Sequence, residues 1–418
     1  VMTDILQEIQ ALQFTDRGAA ERALLSFVQG TLGLDAQAVQ LRPLAVSLNS
    51  FNGFLTMRDG NRLFFKTHTE ADTIIGEYYH AELLARSGYP VIQPVFSSVE
   101  VGKQFLVYPI SEEPSVFDLA WDIEQGRKDD LLAALSLAQH EADDQLWDIY
   151  RSTLQWQAGE QAALAPIHQL FYHRLTGGRL ARFYGQSDLD PVAIRLPGGD
   201  WPMSEVWRVK WVINGQVYSE NLEMIIRRCI HSLRPDQDGP SVIGHGDAHN
   251  GNVFFRAGDN HPRLIYFDPA FAGRHHPLLD LAKPLFHNVF AMWMYFPQQK
   301  KASTTLDFTA GADVWEVSYK YDLPPVRQLF LHSKVERTLK PMLTELRLRN
   351  WLRSDWRAYL KAALFCCPFL TLNLADRDRF PPEISLLGLA MSVEMGSESA
   401  GQRSLIDRIL DEIESDLT

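Results

Sequence analysis

The sequence predicts an α+β fold in two lobes: a small β-rich lobe holding one key helix, then a large, mostly helical lobe. Three observations predict it. Between about residues 41 and 110, short apolar runs alternate with turn residues, and a single helical pattern interrupts them. Beyond 110, apolar residues recur mostly at helical spacing, with one short cluster of strand signals around 241–268. Strands and helices do not alternate regularly, which argues against a doubly wound parallel sheet.

The elements follow in order. Residues 3–32 carry helical periodicity, with Gly30 and Gly33 as stop signals. "FLTMRDGNRLFF" reads as a hairpin around Asp59-Gly60, a dipeptide that tolerates positive φ. "TEADTIIGEYYHAELLARSGYP" reads as a helix ended by Gly88 and Pro90, and "VIQPVFSS" and "KQFLVYPI" as two further strands. Helix dominates from Pro109 to about Trp156 and again in "APIHQLFYHRLTGGRLARFYG". Residues 187–220 break that pattern as an insertion, with "DLDPVAIRLPGGDWP" loop-like and a hairpin around Asn214-Gly215. After the strand cluster, 278–418 reads as helical with a loop at 297–312. The expected division is an N-terminal helical segment 1–40, a small lobe 41–110 and a large helical lobe 111–418, its core at 241–283.

Composition excludes several classes. A chain of 418 residues with 46% hydrophobic content can bury a large core, and no run approaches the roughly 18 apolar residues of a membrane span. The first residues lack the basic and apolar pattern of a secretory leader. Three cysteines, Cys229, Cys366 and Cys367, make no disulfide framework and fit a reducing cytoplasm, and the Cys366-Cys367 pair reads as buried small apolar residues. A net charge of −12 argues against a nucleic-acid partner and is compatible with a cationic small acceptor.

The chemistry concentrates in "GHGDAHNGNVFF". Asp247 and Asn252 have four residues between them, the spacing of a catalytic loop in which Asp takes the proton of an attacking hydroxyl and Asn holds Mg²⁺. Such a loop must be irregular, and Gly246 and Gly251 permit it. Downstream, "RLIYFDPAFAG" sets Asp268 just past an apolar strand, a second oxygen ligand of the kind Mg²⁺ takes.

His245, Gly246, Asp247, His249 and Asn252, followed by Asp268-Pro269 and Asp280-Leu281-Ala282, resemble the aminoglycoside phosphotransferase and choline kinase-like family. That family shares the protein-kinase fold, so the resemblance implies a bilobal, protein-kinase-like architecture and an ATP- and Mg²⁺-dependent phosphotransferase. By the same resemblance Asp247 is the catalytic base, Asn252 and Asp268 are magnesium ligands, and His245 and Asp280 support the loop. His249 is read as a further loop support. One departure is Asn250, where many relatives carry proline. The likeness is specific over 241–283, weaker over 41–110 and absent from 115–240 and 290–418.

The small lobe is expected to hold the nucleotide. Lys66 ends an apolar strand, as a phosphate-binding lysine does, and Glu77 shares a helix face with Ile74, Ala81 and Leu84, so it is the expected partner, with Glu82 as the fallback. No GxGxxG precedes Lys66; in "SLNSFNGF", Ser50 and Gly53 are expected to bring backbone N–H groups to phosphates. The backbone around Tyr108 and Ile110 is expected to meet adenine. The acceptor is a hydroxylated small molecule: an aminoglycoside, amino alcohol, sugar or hydroxylated amino acid. Two other readings compete. One is a metal-dependent hydrolase using His245, Asp247, His249 and His275; the other is a catalytically silent nucleotide-binding pseudokinase.

Overall fold

The computed structural model describes residues 5–42, 50–68, 75–98, 100, 102–185, 192–258 and 261–417; the side chains of Ser50, His68 and residues 75–79 lie outside that description. The chain divides into two compact units. One comprises Val1–Arg86, Pro90–Glu113 and Ile265–Ala270, and the other comprises Ser87–Tyr89, Pro114–Leu264 and Phe271–Thr418.

The first unit is built on a five-stranded antiparallel sheet of order β1-β2-β3-β5-β4, where β1 is Ala36–Leu41, β2 Ser50–Met57, β3 Arg62–His68, β4 Phe96–Ser98 and β5 Phe105–Pro109. The β2–β3 hairpin turns at Asp59-Gly60 as its sequence predicts: Gly60 has φ 88°, and Asp59 accepts the Asn61 N–H at 2.9 Å. Helix α3 (Ile75–Arg86) lies between β3 and β4 in the chain. This order of strands around one helix fits the α+β, protein-kinase-like fold expected.

The N-terminal segment does not stand apart. Asp16 caps a new helix by accepting the Ala19 N–H at 2.9 Å, which splits the expected single helix into α1 (Ile5–Thr15) and α2 (Arg17–Gly30). Leu24, Phe27 and Val28 of α2 share one buried core with Phe51, Leu55, Phe65 and Phe105 of the sheet. Phe65 stacks on Phe105 with ring centroids 5.0 Å apart. Gly53 also departs from its expected place in a turn. It sits inside β2, opposite Leu41 and Phe65, where an added Cβ would lie 2.2 Å from the Gln40 carbonyl oxygen. Close approach of β1 is sufficient reason for that glycine.

Among its described residues the second unit is mainly helical and carries three small sheets plus part of a short hairpin. One sheet, in the order Gly273–His275, Gly239–Gly244, Gln155–Gln157, is antiparallel throughout. A five-stranded sheet runs Thr305–Ala310, Val314–Lys320, Lys210–Ile213, Gln216–Tyr218, Ser399–Gly401. It corrects two expectations. Residues 297–312 are a short helix (Pro297–Ser303) and a strand rather than a loop, and the helical run from 278 is broken by a hairpin. That hairpin alternates as a strand should, Trp315 and Val317 buried and Glu316 and Ser318 exposed, but its outer strand is rich in Thr, which obscures the period. The expected loop around 187–202 likewise contains a hairpin, Ala193–Leu196 with Gly199–Pro202. The Asn214-Gly215 turn is present, with φ 52° and 79° at its two residues. Among the described residues no helix is long and apolar enough to cross a membrane.

Candidate active site

Strand Gly239–Gly244 delivers the chain to residues 245–252, and two glycines let it pass. A Cβ on Gly244 would sit 2.5 Å from Asp280 Oδ2 and from His275 Nε2. Gly246 has φ 79°, and its Cβ would lie 2.2 Å from the Phe271 carbonyl oxygen.

The loop is tied to itself. The His249 N–H donates to the Asp247 carbonyl at 2.9 Å, and the Asn252 N–H donates to the His249 carbonyl at 2.8 Å. Asn252 Nδ2 donates to the same Asp247 carbonyl at 2.9 Å. With its nitrogen so engaged, the Asn252 amide has its oxygen left as the group able to meet a hard cation. His249 accepts the Gly251 N–H at Nδ1 (3.1 Å), so a neutral ring carries its proton on Nε2, 3.8 Å from Asp247 Oδ1. His245 is fully buried, and its Nδ1 accepts the Asp247 N–H at 3.4 Å. Both histidines brace the loop with their ring nitrogens.

Helix Pro277–His287 braces it from outside. Asp280, Lys283 and His287 fall at steps of three and four, hence on one helical face, and that face meets the loop. Asp280 Oδ1 accepts the Gly246 N–H at 2.5 Å and stands 3.1 Å from His275 Nε2, while Oδ2 accepts the Tyr150 hydroxyl. Lys283 Nζ lies 3.2 Å from Asp247 Oδ1, although outside hydrogen-bond alignment. His287 holds its ring 5.7 Å from that of His249, and Asn288 Oδ1 accepts the Asn250 N–H at 2.7 Å.

These neighbours set the charge of the loop. Burial pushes the Asp247 carboxyl upward, but Lys283, His249 and Arg174 together outweigh it and hold the group below its ordinary value. For Asp280 the upward pull of burial is outweighed by His275, Tyr150 and the Gly246 N–H. Both carboxyls are therefore ionised at neutral pH. Lys283, Arg174 and His287 are absent from the residues picked out in the sequence. The available signal is the 280–283–287 spacing of polar groups in a helix buried at every position.

In the first unit, Lys66 Nζ lies 2.9 Å from Asp268 Oδ1. β3 presents the lysine, paired with Asn52 and Leu106 on its two sides. Segment Ile265–Ala270 is docked by Tyr266, whose N–H donates to the Pro90 carbonyl (2.8 Å) and whose carbonyl accepts the Ile92 N–H (2.9 Å). Asp268 has φ 53°, a left-handed backbone that costs a non-glycine residue about 1 kcal/mol and persists where surroundings impose it. Its carboxylate is 43% exposed, open to a metal ion. Taken singly, the Asn252 amide oxygen and the Asp268 carboxylate are each hard oxygen donors of the kind Mg²⁺ takes.

The other expected residues fall as follows. Glu77 lies on α3 and Ser50 at the start of β2, with side chains outside the described residues. Glu82, the fallback, is 58% exposed and paired with Arg86. Tyr108 pairs with Phe64 in the sheet, and Ile110 directly follows β5. The hydrolase reading finds no assembled ligand set: His245 and His249 spend ring nitrogens on the loop, and His275 on Asp280. Among the described residues no three His, Cys, Asp or Glu side chains group to hold a metal ion. The three cysteines are buried and free, and burial pushes the Cys229 thiol up to about 12.

The model of the family described as "Phosphotransferase enzyme family" matches residues 196–316. No curated protein sequence matches the chain. Among solved structures, the aminoglycoside phosphotransferase APH(4)-Ia is 10% identical with a TM-score of 0.47, covering 90% of this chain and 99% of its own. Amicoumacin kinase hAmiN, solved with AMP-PNP, Ca²⁺ and Ami, is 15% identical with a TM-score of 0.44, over 86% of this chain and 87% of its own. A putative fructosamine-3-kinase from Thermobifida fusca is 14% identical with a TM-score of 0.40, over 89% and 97%.

Proposed function

We propose that this chain is a small-molecule phosphotransferase that moves the γ-phosphate of ATP to a hydroxyl group of its acceptor. The observation that carries the reading is the Lys66–Asp268 pair, 2.9 Å apart. The two residues point to this chemistry on separate grounds, Lys66 at the end of its strand for nucleotide phosphates and Asp268 just past its strand for metal. The match of residues 196–316 to the phosphotransferase family supports it independently.

In this reading Asp247 accepts the hydrogen bond of the acceptor hydroxyl and takes its proton as the bond from oxygen to the γ-phosphorus forms. The bond from that phosphorus to the β-bridging oxygen breaks, and ADP leaves with the electron pair. A carboxylate held below its ordinary pKa is a weak base, so its main service is to orient the hydroxyl until late in the transfer. Lys66 holds the nucleotide phosphates. Asn252 and Asp268 would hold Mg²⁺, which would neutralise charge on the phosphates. Asp280, His245 and His249 keep the loop in the shape that positions Asp247.

The test is incubation of purified chain with ATP, Mg²⁺ and a panel of hydroxylated acceptors, read by phosphorus NMR. A phosphoester product together with ADP is expected. ADP with inorganic phosphate as the only other product, for every acceptor, would overturn the reading.

A further inference from the structure

Asp280 meets the loop through the Gly246 N–H and is engaged by His275 and Tyr150, whereas the charged groups that act on the Asp247 carboxylate are all basic: Lys283, His249 and Arg174. Arg174 belongs to the short helix Tyr172–Thr176. A chain of contacts fixes it. Its Nη1 donates to Thr371 Oγ1 at 3.4 Å, Thr371 Oγ1 lies 3.4 Å from His287 Nε2, and His287 Nδ1 lies 2.8 Å from the Tyr295 hydroxyl. Two features make this cluster unbalanced. Among the described residues Arg174 Nε is buried with no hydrogen-bond partner, and Lys283 is 4% exposed and paired with the Asp247 carboxylate at 3.2 Å. Buried donors and uncompensated charges are costly unless a partner arrives.

Burial pulls the Arg174 guanidinium below its ordinary value, with Asp247 pulling the other way. Burial and the nearby Lys283, His249 and Arg174 hold His287 well below its ordinary value, so it is neutral and adds no charge. Buried Lys283 and half-buried Arg174 thus both act on the Asp247 carboxylate.

We infer that Arg174 and Lys283 form an anion seat beside Asp247, and that the acceptor is a hydroxylated molecule carrying a carboxylate or phosphate group. The inference rests on the phosphotransferase reading for its acceptor. It reverses the expectation of a cationic acceptor drawn from the net charge of −12, because the local charge around Asp247 is positive while the global charge is not. A guanidinium is suited to this work, since its planar fork meets both oxygens of a carboxylate or phosphate. An approaching ammonium would instead meet Arg174 and Lys283 as like charges.

Two measurements test it. In the acceptor panel with ATP and Mg²⁺, hydroxy acids and sugar phosphates should turn over, and choline and neutral polyols should not. With the best anionic acceptor, Arg174→Met should raise the acceptor KM about tenfold or more and leave the KM for ATP within about twofold, with Arg174→Lys intermediate. A rise in the KM for ATP alone would assign the seat to a nucleotide phosphate and overturn the acceptor assignment. Efficient turnover of a cationic acceptor that survives Arg174→Met would overturn it too. Should no acceptor turn over, the phosphotransferase reading fails, and the seat is judged by titration calorimetry with inorganic phosphate. Binding weakened about tenfold by Arg174→Met supports the seat, and no binding, or binding indifferent to that change, overturns it.

Discussion

Lys66 Nζ and Asp268 Oδ1 stand 2.9 Å apart although 202 residues separate them in the chain. The side chains are 20% and 43% exposed, so screening keeps the contribution of the pair to stability within about 1 kcal/mol. Under the proposed function its value is chemical: the ammonium would hold the carboxylate until nucleotide and metal divide them.

Lys66→Met should therefore lower kcat/KM for ATP by about 100-fold while moving the melting temperature by no more than about 2 °C. Steady-state kinetics beside a thermal melt separates the two effects. A large drop in melting temperature with ATP kinetics unchanged would make the pair structural.

The Asp280 network should behave in the opposite way. Asp280→Ala leaves the Gly246 N–H, the Tyr150 hydroxyl and His275 without their shared buried partner, and is expected to cost about 3–5 kcal/mol in urea unfolding. Tyr150→Phe removes one hydrogen bond and should cost about 1–2 kcal/mol. Activity should fall in both, because Gly246 positions Asp247. A loss of under about 0.5 kcal/mol in Asp280→Ala would show that the loop does not depend on it.

Glu394 supplies a pH test away from the site. Burial pushes its carboxyl from 4.5 up to about 7, against the Tyr319 hydrogen bond and the Lys361 charge, which pull it down. The folded chain therefore keeps the proton that the unfolded chain releases between these values. Stability from this group is full below pH 4.5 and is lost as pH rises to about 7, a swing of about 3 kcal/mol. Glu394→Gln should become progressively more stabilising relative to the unmodified chain from pH 5 to 7.5 (about 2–3 kcal/mol). A stability difference that stays flat across that range would contradict it.

What the sequence reveals of this fold and site is local. The turns at Asp59-Gly60 and Asn214-Gly215 need only backbone freedom at adjacent residues, and both form. The Asp247–Asn252 spacing closes on one carbonyl within the loop, so it is readable without knowing what surrounds it. Pairings across the chain are not readable in this way. Strand Val314–Lys320 runs parallel to Lys210–Ile213, and nothing in either segment names the other, so the 187–220 region looks like an insertion and 297–312 like a loop. Lys283 and Arg174 are hidden for the same reason: each sits in an otherwise ordinary helix, and its meaning depends on which face meets the loop. Gly53 shows the converse, a residue expected in a turn that lies inside β2, where the close approach of Gln40 gives it a packing role.

The most direct test of the account compares the purified chain with its Asp247→Ala variant, both with ATP, Mg²⁺ and the best acceptor from the panel, following phosphorylated product by mass spectrometry. Circular dichroism and a thermal melt check that the variant keeps its fold. The account predicts product from the unmodified chain and a loss of about 1,000-fold or more in kcat in a variant that melts as a folded protein. Product formed by folded Asp247→Ala at the rate of the unmodified chain would contradict it.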